Sequence, residues 1–350
     1  MQLTLLIPEL IWPEPDDRET LDGLSCTALN TLLARSRLTR RPPQSLEATL
    51  SDRFGHPAGA PYAAFRLLGE AQGAVDAHLH NWICCDPVHL RFLQERLLLA
   101  DSRNFELSLE EAQSLADALN AQLSDTGRFH VIDAERWYLQ LTDALLLEGF
   151  DVPPLSAVAG RSIERVLAEA SQAKGMRRLF NEIQMILHAH PINQQREEEG
   201  RMAINSLWLW GAGELPTRRE SDFDGVWSSN PLARGLALAA SVPAHRLPQD
   251  AATFLAHTAP DTQHLIVLED LLGPVQSENG EAYRSTLTRL EERWFAPLQK
   301  ALASGKINQL HIEASTAYAT LRWTSQRSDQ WKLWKRPQTL AALAKVVAKE

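Results

Sequence analysis

Apolar runs of strand length near both ends of the chain constrain its fold more than any other feature. LTLLI (3–7), HLIVLED (264–270) and INQLHIEA (307–314) have the length and composition of buried strands. Between the last two, residues 280–303 repeat apolar side chains at helical spacing. Because strands that alternate with helices build parallel sheets, the two ends of the chain predict one α/β domain.

The middle of the chain has a different pattern. Ser108 and Glu111 form a capping-box signature before a leucine-rich helix, and FHVID (129–133) followed by WYLQL (137–141) predicts a hairpin. These elements predict a smaller α+β domain inserted into the first. The predicted domains are 1–75 with 190–350 for the α/β part and 76–189 for the insertion.

Composition restricts the partners. A net charge of −9 over 350 residues argues against nucleic acid and against an anionic membrane surface, since both select a basic face. No run approaches the roughly 18 apolar residues of a membrane span. The start, MQLTLLIPELIWPEP, has no basic segment and no cleavage signature, so it predicts a strand. Three cysteines, two of them adjacent, make a poor disulfide framework, and we expect a cytoplasmic protein.

The segment HPINQQREEEGRMAINSLWLWGAGELP (190–216) is the strongest candidate for a binding site. Asn193, Arg196 and Asn205 precede a short strand that ends at Gly-Ala-Gly, where backbone N–H groups can approach a ligand. Arg196 offers a bidentate partner for an anion. A tight turn after a solvated helix produces the same pattern.

A cluster of histidines and cysteines suggests a zinc site. His78, His80, Cys84, Cys85 and His89 lie close together in the sequence. Zinc requires four ligands that converge, whereas adjacent residues of a strand point to opposite faces. Structural packing is therefore favoured over metal binding.

CDPVHLR (85–91) places Asp86, His89 and Arg91 just past a predicted strand, where sites in α/β and α+β proteins tend to lie. A salt-bridged structural corner explains the same residues.

The run from His190 to Gly213 resembles the archaeal-type cofactor-independent phosphoglycerate mutases of the alkaline phosphatase superfamily. The features that carry the resemblance are HPIN, the charged REEEG run, an Asn before an apolar strand, and Gly-x-Gly. Weaker similarity extends over TALNTLLA (27–34), FRLLGE (65–70), ELSLEEAQSL (106–115) and residues 265–298. The chain also resembles a bacterial group of RpfE-type regulatory proteins, which we expect to be closer. The resemblance implies an alkaline-phosphatase-like mixed or parallel sheet with flanking helices and an inserted α+β domain.

The departures from that family concern its chemistry. The family binds two divalent metals through carboxylates and histidines and transfers phosphate through a serine. Here the first strand ends at Pro8-Glu9 in place of a metal-binding Asp, and Ala60-Pro61 stands in place of Ser-Asp. An alanine has no nucleophile.

Later ligand positions depart in the same way. Glu269 and Asp270 follow the late strand without the expected His, and His311 and Glu313 replace an Asp-His pair out of pattern. A two-metal site must neutralise a transferring phosphoryl group, so these losses should abolish transfer.

The residues and the resemblance leave three functional hypotheses: a non-catalytic protein, an enzyme and a protein–protein surface. The favoured one is a non-catalytic binding or regulatory protein with no catalytic residues, no metal and an anionic small-molecule ligand or a protein partner. The candidate ligand-binding residues are Asp86, His89, Arg91, His190, Asn193, Arg196, Asn205, Gly211 and Gly213. The alternative is a divergent phosphomutase or phosphohydrolase acting on a small phosphomonoester with Mn or Zn. Its rebuilt site would use Glu9, Asp86, His89, Glu269, Asp270 and His311. The surface hypothesis rests on the 190–213 region together with the tryptophan pairs at 208/210 and 331/334.

Overall fold

A computed structural model describes most of the chain. The described residues are 1–57, 59–70, 76–77, 81–93, 96–143, 150–170, 174–332 and 334–349. The chain divides into two compact units, the first formed by Met1–Phe54 with Arg219–Glu350 and the second by Gly55–Arg218.

Strands and helices are numbered in chain order. The strands are β1 (Gln2–Leu6), β2 (Arg37–Arg41), β3 (Asn81–Leu93), β4 (Arg96–Ala100), β5 (Gly127–Asp133), β6 (Arg136–Leu141), β7 (Ser206–Gly213), β8 (Gly225–Trp227), β9 (Ala244–His245), β10 (Gln263–Val267), β11 (Gln309–Ser315) and β12 (Thr320–Gln326). The helices are α1 (Arg18–Leu21), α2 (Thr27–Arg35), α3 (Leu46–Arg53), α4 (Tyr62–Glu70), α5 (Leu109–Gln122), α6 (Leu155–Val158), α7 (Glu164–Ala170), α8 (Lys174–His188), α9 (Pro191–Glu198), α10 (Pro231–Ala239), α11 (Ala251–Ala256), α12 (Leu272–Gln276), α13 (Gly280–Leu290), α14 (Ala296–Ser304) and α15 (Leu340–Lys349). A π-helical turn (Glu291–Phe295) joins α13 to α14, and a 3-10 turn (Arg327–Trp331) follows β12.

The first unit is built on a seven-stranded sheet in the order β2-β12-β11-β1-β10-β8-β9. β1 lies between β10 and β11 and is parallel to both, so strands from the two ends of the chain are direct neighbours. β12 and β2 extend the sheet antiparallel. This mixed sheet with its helices, together with the α+β second unit, confirms the predicted fold class.

The two faces of this sheet differ in polarity. Leu3 and Leu5 of β1 and Ile312 of β11 point into the main hydrophobic core, where Tyr283 and Leu287 of α13 pack with them. Because side chains alternate along a strand, the intervening residues of β11 and β12 face the other way, and these are polar. The apolar face supplies the burial that stabilises the sheet, and the opposite face is available for chemistry.

The second unit is an antiparallel five-stranded sheet centred on β3, which pairs with β4, β6 and β7. Leu115 of α5 and Ile183 of α8 pack on one face of it against Trp137 and Leu209. The predicted hairpin is confirmed as β5–β6. The predicted capping box is also confirmed, since Ser108 and the Glu111 side chain each accept a hydrogen bond at the start of α5.

Two strands differ from the sequence prediction. Asp86, His89 and Arg91 were expected just past a strand, yet β3 continues through them to Leu93, because its residues 89–93 pair with β4. β2 was not predicted, since RLTRR lacks strand-like apolar alternation.

The predicted domain boundaries at 75/76 and 189/190 both fall inside the second unit, where α4 and β7 pack on β3.

No helix in the described part of the chain combines the length and apolar character needed to cross a bilayer.

Two tyrosines of the first unit allow a matched test of its core. The buried Tyr283 hydroxyl donates to the Leu10 carbonyl at 2.8 Å, and the exposed Tyr318 hydroxyl donates to the Pro13 carbonyl at 2.6 Å. Tyr283→Phe leaves a buried carbonyl unsatisfied, so we expect a loss of about 1–2 kcal/mol in the free energy of unfolding. Tyr318→Phe, the control, should change it by less than about 0.5 kcal/mol. Urea unfolding measures both, and equal effects would contradict the packing described here.

Candidate functional site

The predicted loop at 190–205 is an anchored corner of the second unit. His190 caps α9, its Nδ1 accepting from the Ile192 N–H at 3.2 Å, and burial lowers the pKa of this histidine. Asn193 is 2% exposed; its amide donates to the carbonyls of Leu187 and Ile204 and accepts from the Ile204 N–H. Each polar group of Asn193 is therefore used within its own unit.

Arg196 is still more enclosed, at 1% exposure. Its guanidinium donates to the Met202 carbonyl at 2.8 Å, to a Glu111 carboxylate oxygen at 2.9 Å and to the Glu106 carbonyl at 2.8 Å. The side chain thus joins α9 to the start of α5. This geometry favours a structural role, and ligand binding by Arg196 stays a prediction.

The other residues of the motif make similar ties. The Asn205 amide pairs with both backbone groups of Leu90, at 2.8 and 2.9 Å, and His89 Nδ1 lies 2.8 Å from the Ala203 carbonyl. Arg91 is exposed on β3. The corner of the chain after Met202 is therefore fastened to β3 by side chain–backbone contacts.

Asp86 is the centre of a buried ionic network. Its carboxylate accepts two hydrogen bonds from Arg66, at 2.7 and 2.8 Å, and one from the Trp210 indole at 2.8 Å. Arg66 also donates to the Tyr138 hydroxyl, which in turn contacts Glu70. Burial opposes the charge on Arg66, but Asp86 holds its pKa well above the ordinary value. The structural-corner alternative therefore fits Asp86 better than ligand binding does.

The two glycines of the Gly-x-Gly turn are required by sterics. Gly211 has φ +65°, and a Cβ there would lie 2.9 Å from Tyr62 Cβ; at Gly213, with φ +139°, it would lie 2.8 Å from Pro61 Cβ. Tyr62 of α4 and Pro61 before it thus lie where the side chain of any other residue would begin. The glycines permit close packing of β7 against α4.

The histidine–cysteine cluster gives no zinc site in the described residues, although His78 and His80 lie outside them. Cys84 and Cys85 are both fully buried and point to opposite faces, Cys85 toward the α5–α8 core. Burial, then Asp86, raises the pKa of Cys85 well above that of an ordinary thiol. A buried protonated thiol is a poor metal ligand.

The carboxyl edge of the parallel strands in the first unit is a second candidate site, because ligands of α/β proteins bind at that edge. Glu9 follows β1, is 8% exposed and has φ +56°, a strained value for a residue with a side chain. Glu269 follows β10, and its carboxylate accepts from the Asn230 amide at 2.7 Å. Asp270 beside it is exposed.

The arginines around Glu313 were not predicted from the sequence. Glu313 lies near the end of β11, is fully buried, and its Oε1 is 3.3 Å from Arg41 and 3.3 Å from Arg53. Arg322 lies directly across from it in the β11–β12 register. We call Arg41, Arg53 and Arg322 the arginine cluster. The run RLTRR in β2 was its only sequence signal.

These residues do not fit a two-metal centre. Among the described residues, no group of three His, Cys, Asp or Glu side chains is arranged to hold a metal ion. His311 contacts the Thr324 hydroxyl at 3.0 Å, and its pKa is lowered to about 4 by burial and by Arg322 and Arg53.

A comparison with known protein families matches part of the second unit. The family model described as 2,3-bisphosphoglycerate-independent phosphoglycerate mutase matches residues 81–193. Over part of its length the chain is similar to these mutases. A Methanosarcina mazei mutase of that name is 26% identical over 212 residues, covering 57% of this chain and 51% of its own. A probable mutase from Geobacter sulfurreducens is 28% identical over 223 residues, covering 60% and 54%.

The mutase-like chain spans about half the length of these curated relatives. Among solved structures, the PH0037 protein of Pyrococcus horikoshii aligns over 98% of this chain and 91% of its own, with a TM-score of 0.57 and 13% identity. At that identity the likeness concerns the fold alone. The RpfE-type grouping stays a prediction.

Arg196 and Arg201 test whether the mutase-like motif is structural. Both contact Glu111, but Arg196 is buried and Arg201 is exposed. Arg196→Gln breaks a buried ion pair and two backbone contacts, so we expect a loss of about 3 kcal/mol in the free energy of unfolding. Arg201→Gln, the control, should cost less than about 1 kcal/mol. Chemical denaturation compares them; wild-type stability in Arg196→Gln would argue that this arginine serves a ligand.

Proposed function

We propose that this chain is a phosphoglycerate-mutase-like protein that no longer transfers phosphate and acts as a non-catalytic binding or regulatory protein. The observation that carries the proposal is the environment of Glu313. Two guanidinium groups neutralise this buried carboxylate at the end of a central strand. A carboxylate paired in this way has built-in counterions and is a poor ligand for a divalent cation.

Other side chains support the same view. The residue at the position expected for the nucleophile, Ala60, is 5% exposed and offers only a methyl group. Glu269 is engaged with Asn230 through a hydrogen bond. In-line phosphoryl transfer needs a nucleophile and cations that stabilise both attacking and leaving oxygens. Among the described residues, no group of three His, Cys, Asp or Glu side chains is arranged to hold such cations.

The alternative, a rebuilt Mn or Zn phosphohydrolase, requires ligands that are already engaged. Asp86 is held by Arg66 and Trp210, and His89 is held by the Ala203 carbonyl. Releasing Asp86 for a metal would leave Arg66 buried without its counterion, at a cost of several kcal/mol. The non-catalytic function is therefore the better supported of the two.

A regulatory role, a cytoplasmic location and a protein partner belong to the same proposal and rest on the sequence alone. The exposed tryptophans favour one part of the surface for a partner. Trp208 and Trp210 are buried, whereas Trp331 and Trp334 are 76% and 74% exposed. Exposed tryptophans are enriched at protein interfaces.

Metal retention tests the loss of catalysis. The protein is incubated with Mn²⁺ and Zn²⁺, desalted and assayed for bound metal and for hydrolysis of a phosphomonoester, beside the M. mazei mutase as control. Because guanidinium groups already neutralise Glu313, we expect well under one retained ion per chain and no hydrolysis above background. Retention of about two ions together with hydrolysis that a chelator abolishes would refute the proposal.

A further inference from the structure

The arginine cluster is less completely paired than the buried network around Asp86. Arg66 and Asp86 meet at 2.7 and 2.8 Å in a bidentate pair. Arg41 and Arg53 instead share a single oxygen of Glu313, each at 3.3 Å. Charge-assisted hydrogen bonds normally close to about 2.7–2.9 Å, so the pairing at Glu313 leaves hydrogen-bonding capacity unused.

The unused capacity can be assigned to atoms. Glu313 Oε2, Arg53 Nε and Thr320 Oγ1 are buried and have no hydrogen-bond partner among the described residues. Thr320 lies on the same face of the sheet, paired across the strands with Arg41. Buried polar atoms without partners are rare in native proteins and call for an explanation such as an ion or ligand.

The charge balance shows which sign is missing. The cluster contributes three positive charges, and Asp52 and Glu313 contribute two negative ones, since Asp52 lies 2.8 Å from Arg41 and 3.2 Å from Arg53. His311 adds no charge near neutral pH, because burial and the neighbouring Arg322 and Arg53 hold its pKa at about 4. These five side chains together therefore carry an excess of one positive charge.

Arg322 has the most unused hydrogen-bonding capacity of the three arginines. Its Nε lies 3.4 Å from His311 Nδ1, a long contact with a neutral ring. Burial, then the charge of Arg53, lowers the pKa of Arg322, as expected where guanidinium groups face one another without a full set of counterions. Access is open from this side, since Arg322 and His311 are half-buried and the Arg41 side chain is 39% exposed.

We propose that the arginine cluster binds a small phosphate group that retains a proton. The guanidinium groups would donate to its oxygens, and Glu313 Oε2 would accept from its O–H group. A fully ionised oxyanion of the same shape offers Glu313 no donor and places a lone pair against its carboxylate. The site extends the proposed function without depending on it, because it needs neither metal nor turnover.

The test is calorimetric titration of the full chain with inorganic phosphate near pH 6 in EDTA, at constant ionic strength, beside sulfate. We expect saturable phosphate binding with about one site per chain, at least about tenfold tighter than sulfate binding, because sulfate lacks the donated proton. Glycerol 2-phosphate in the same titration separates the sources: binding assigns the site to phosphate esters, and rejection assigns it to free phosphate. Both outcomes support the site.

Two arginine variants test whether phosphate binds at the arginine cluster. Arg322→Gln should weaken phosphate binding at least about tenfold, since one charged donor is lost. Arg246→Gln, an exposed arginine of the same unit outside the cluster, should leave binding unchanged. No saturable phosphate heat up to about 10 mM, equal affinity for sulfate, or equal affinity in Arg322→Gln would overturn the assignment. If Arg322→Gln fails to fold, the phosphate-to-sulfate ratio of the wild type decides. Failure here leaves the metal-retention result untouched.

Discussion

The buried carboxylate of Glu313 is the constraint around which the polar half of the first unit is arranged. β11 lies beside the central strand β1, and the Glu313 side chain near its end is fully buried. A lone carboxylate there would be strongly destabilising. Arg41 from β2 and Arg53 from α3 converge on it, which explains why an arginine-rich segment forms the edge of the sheet.

The buried ionic groups around Asp86 and around Glu313 differ in how completely their hydrogen-bonding atoms are satisfied. Around Asp86, the carboxylate receives three hydrogen bonds at short distances, and Arg66 makes further contacts with Tyr138. Such a network fixes the packing of the second unit and leaves nothing for a ligand. Around Glu313 the pairs are long and buried atoms lack partners among the described residues. Arginine–carboxylate pairs thus occur in both places, and the distances between the paired atoms distinguish the closed network at Asp86 from the incompletely paired cluster at Glu313.

The sequence predicted the fold better than it predicted the site. Strands such as β1 and β10 are apolar runs whose pattern alone predicts burial, and the capping box of α5 is a local signal that tertiary packing did not override. β2 escaped prediction because RLTRR lacks apolar alternation, and the buried carboxylate that its Arg41 contacts lies 272 residues away in the sequence. Arg196 was interpreted as an anion ligand for the same reason, since its partners Glu111 and the Glu106 carbonyl cannot be inferred from neighbouring residues.

A phosphoryl-transfer site and a phosphate-binding site require different things of the same scaffold. Transfer needs cations that follow charge as it moves from one oxygen to another, together with a nucleophile. Binding needs only fixed donors and one acceptor for the retained proton. Guanidinium groups suit the second task, because their charge and geometry are fixed and they cannot polarise a nucleophilic water as a metal does. Near the end of β11, guanidinium groups neutralise the buried carboxylate of Glu313. The proposed phosphate site therefore requires less of the scaffold than phosphoryl transfer does, because fixed side-chain cations and one acceptor suffice and neither a metal nor a nucleophile is needed.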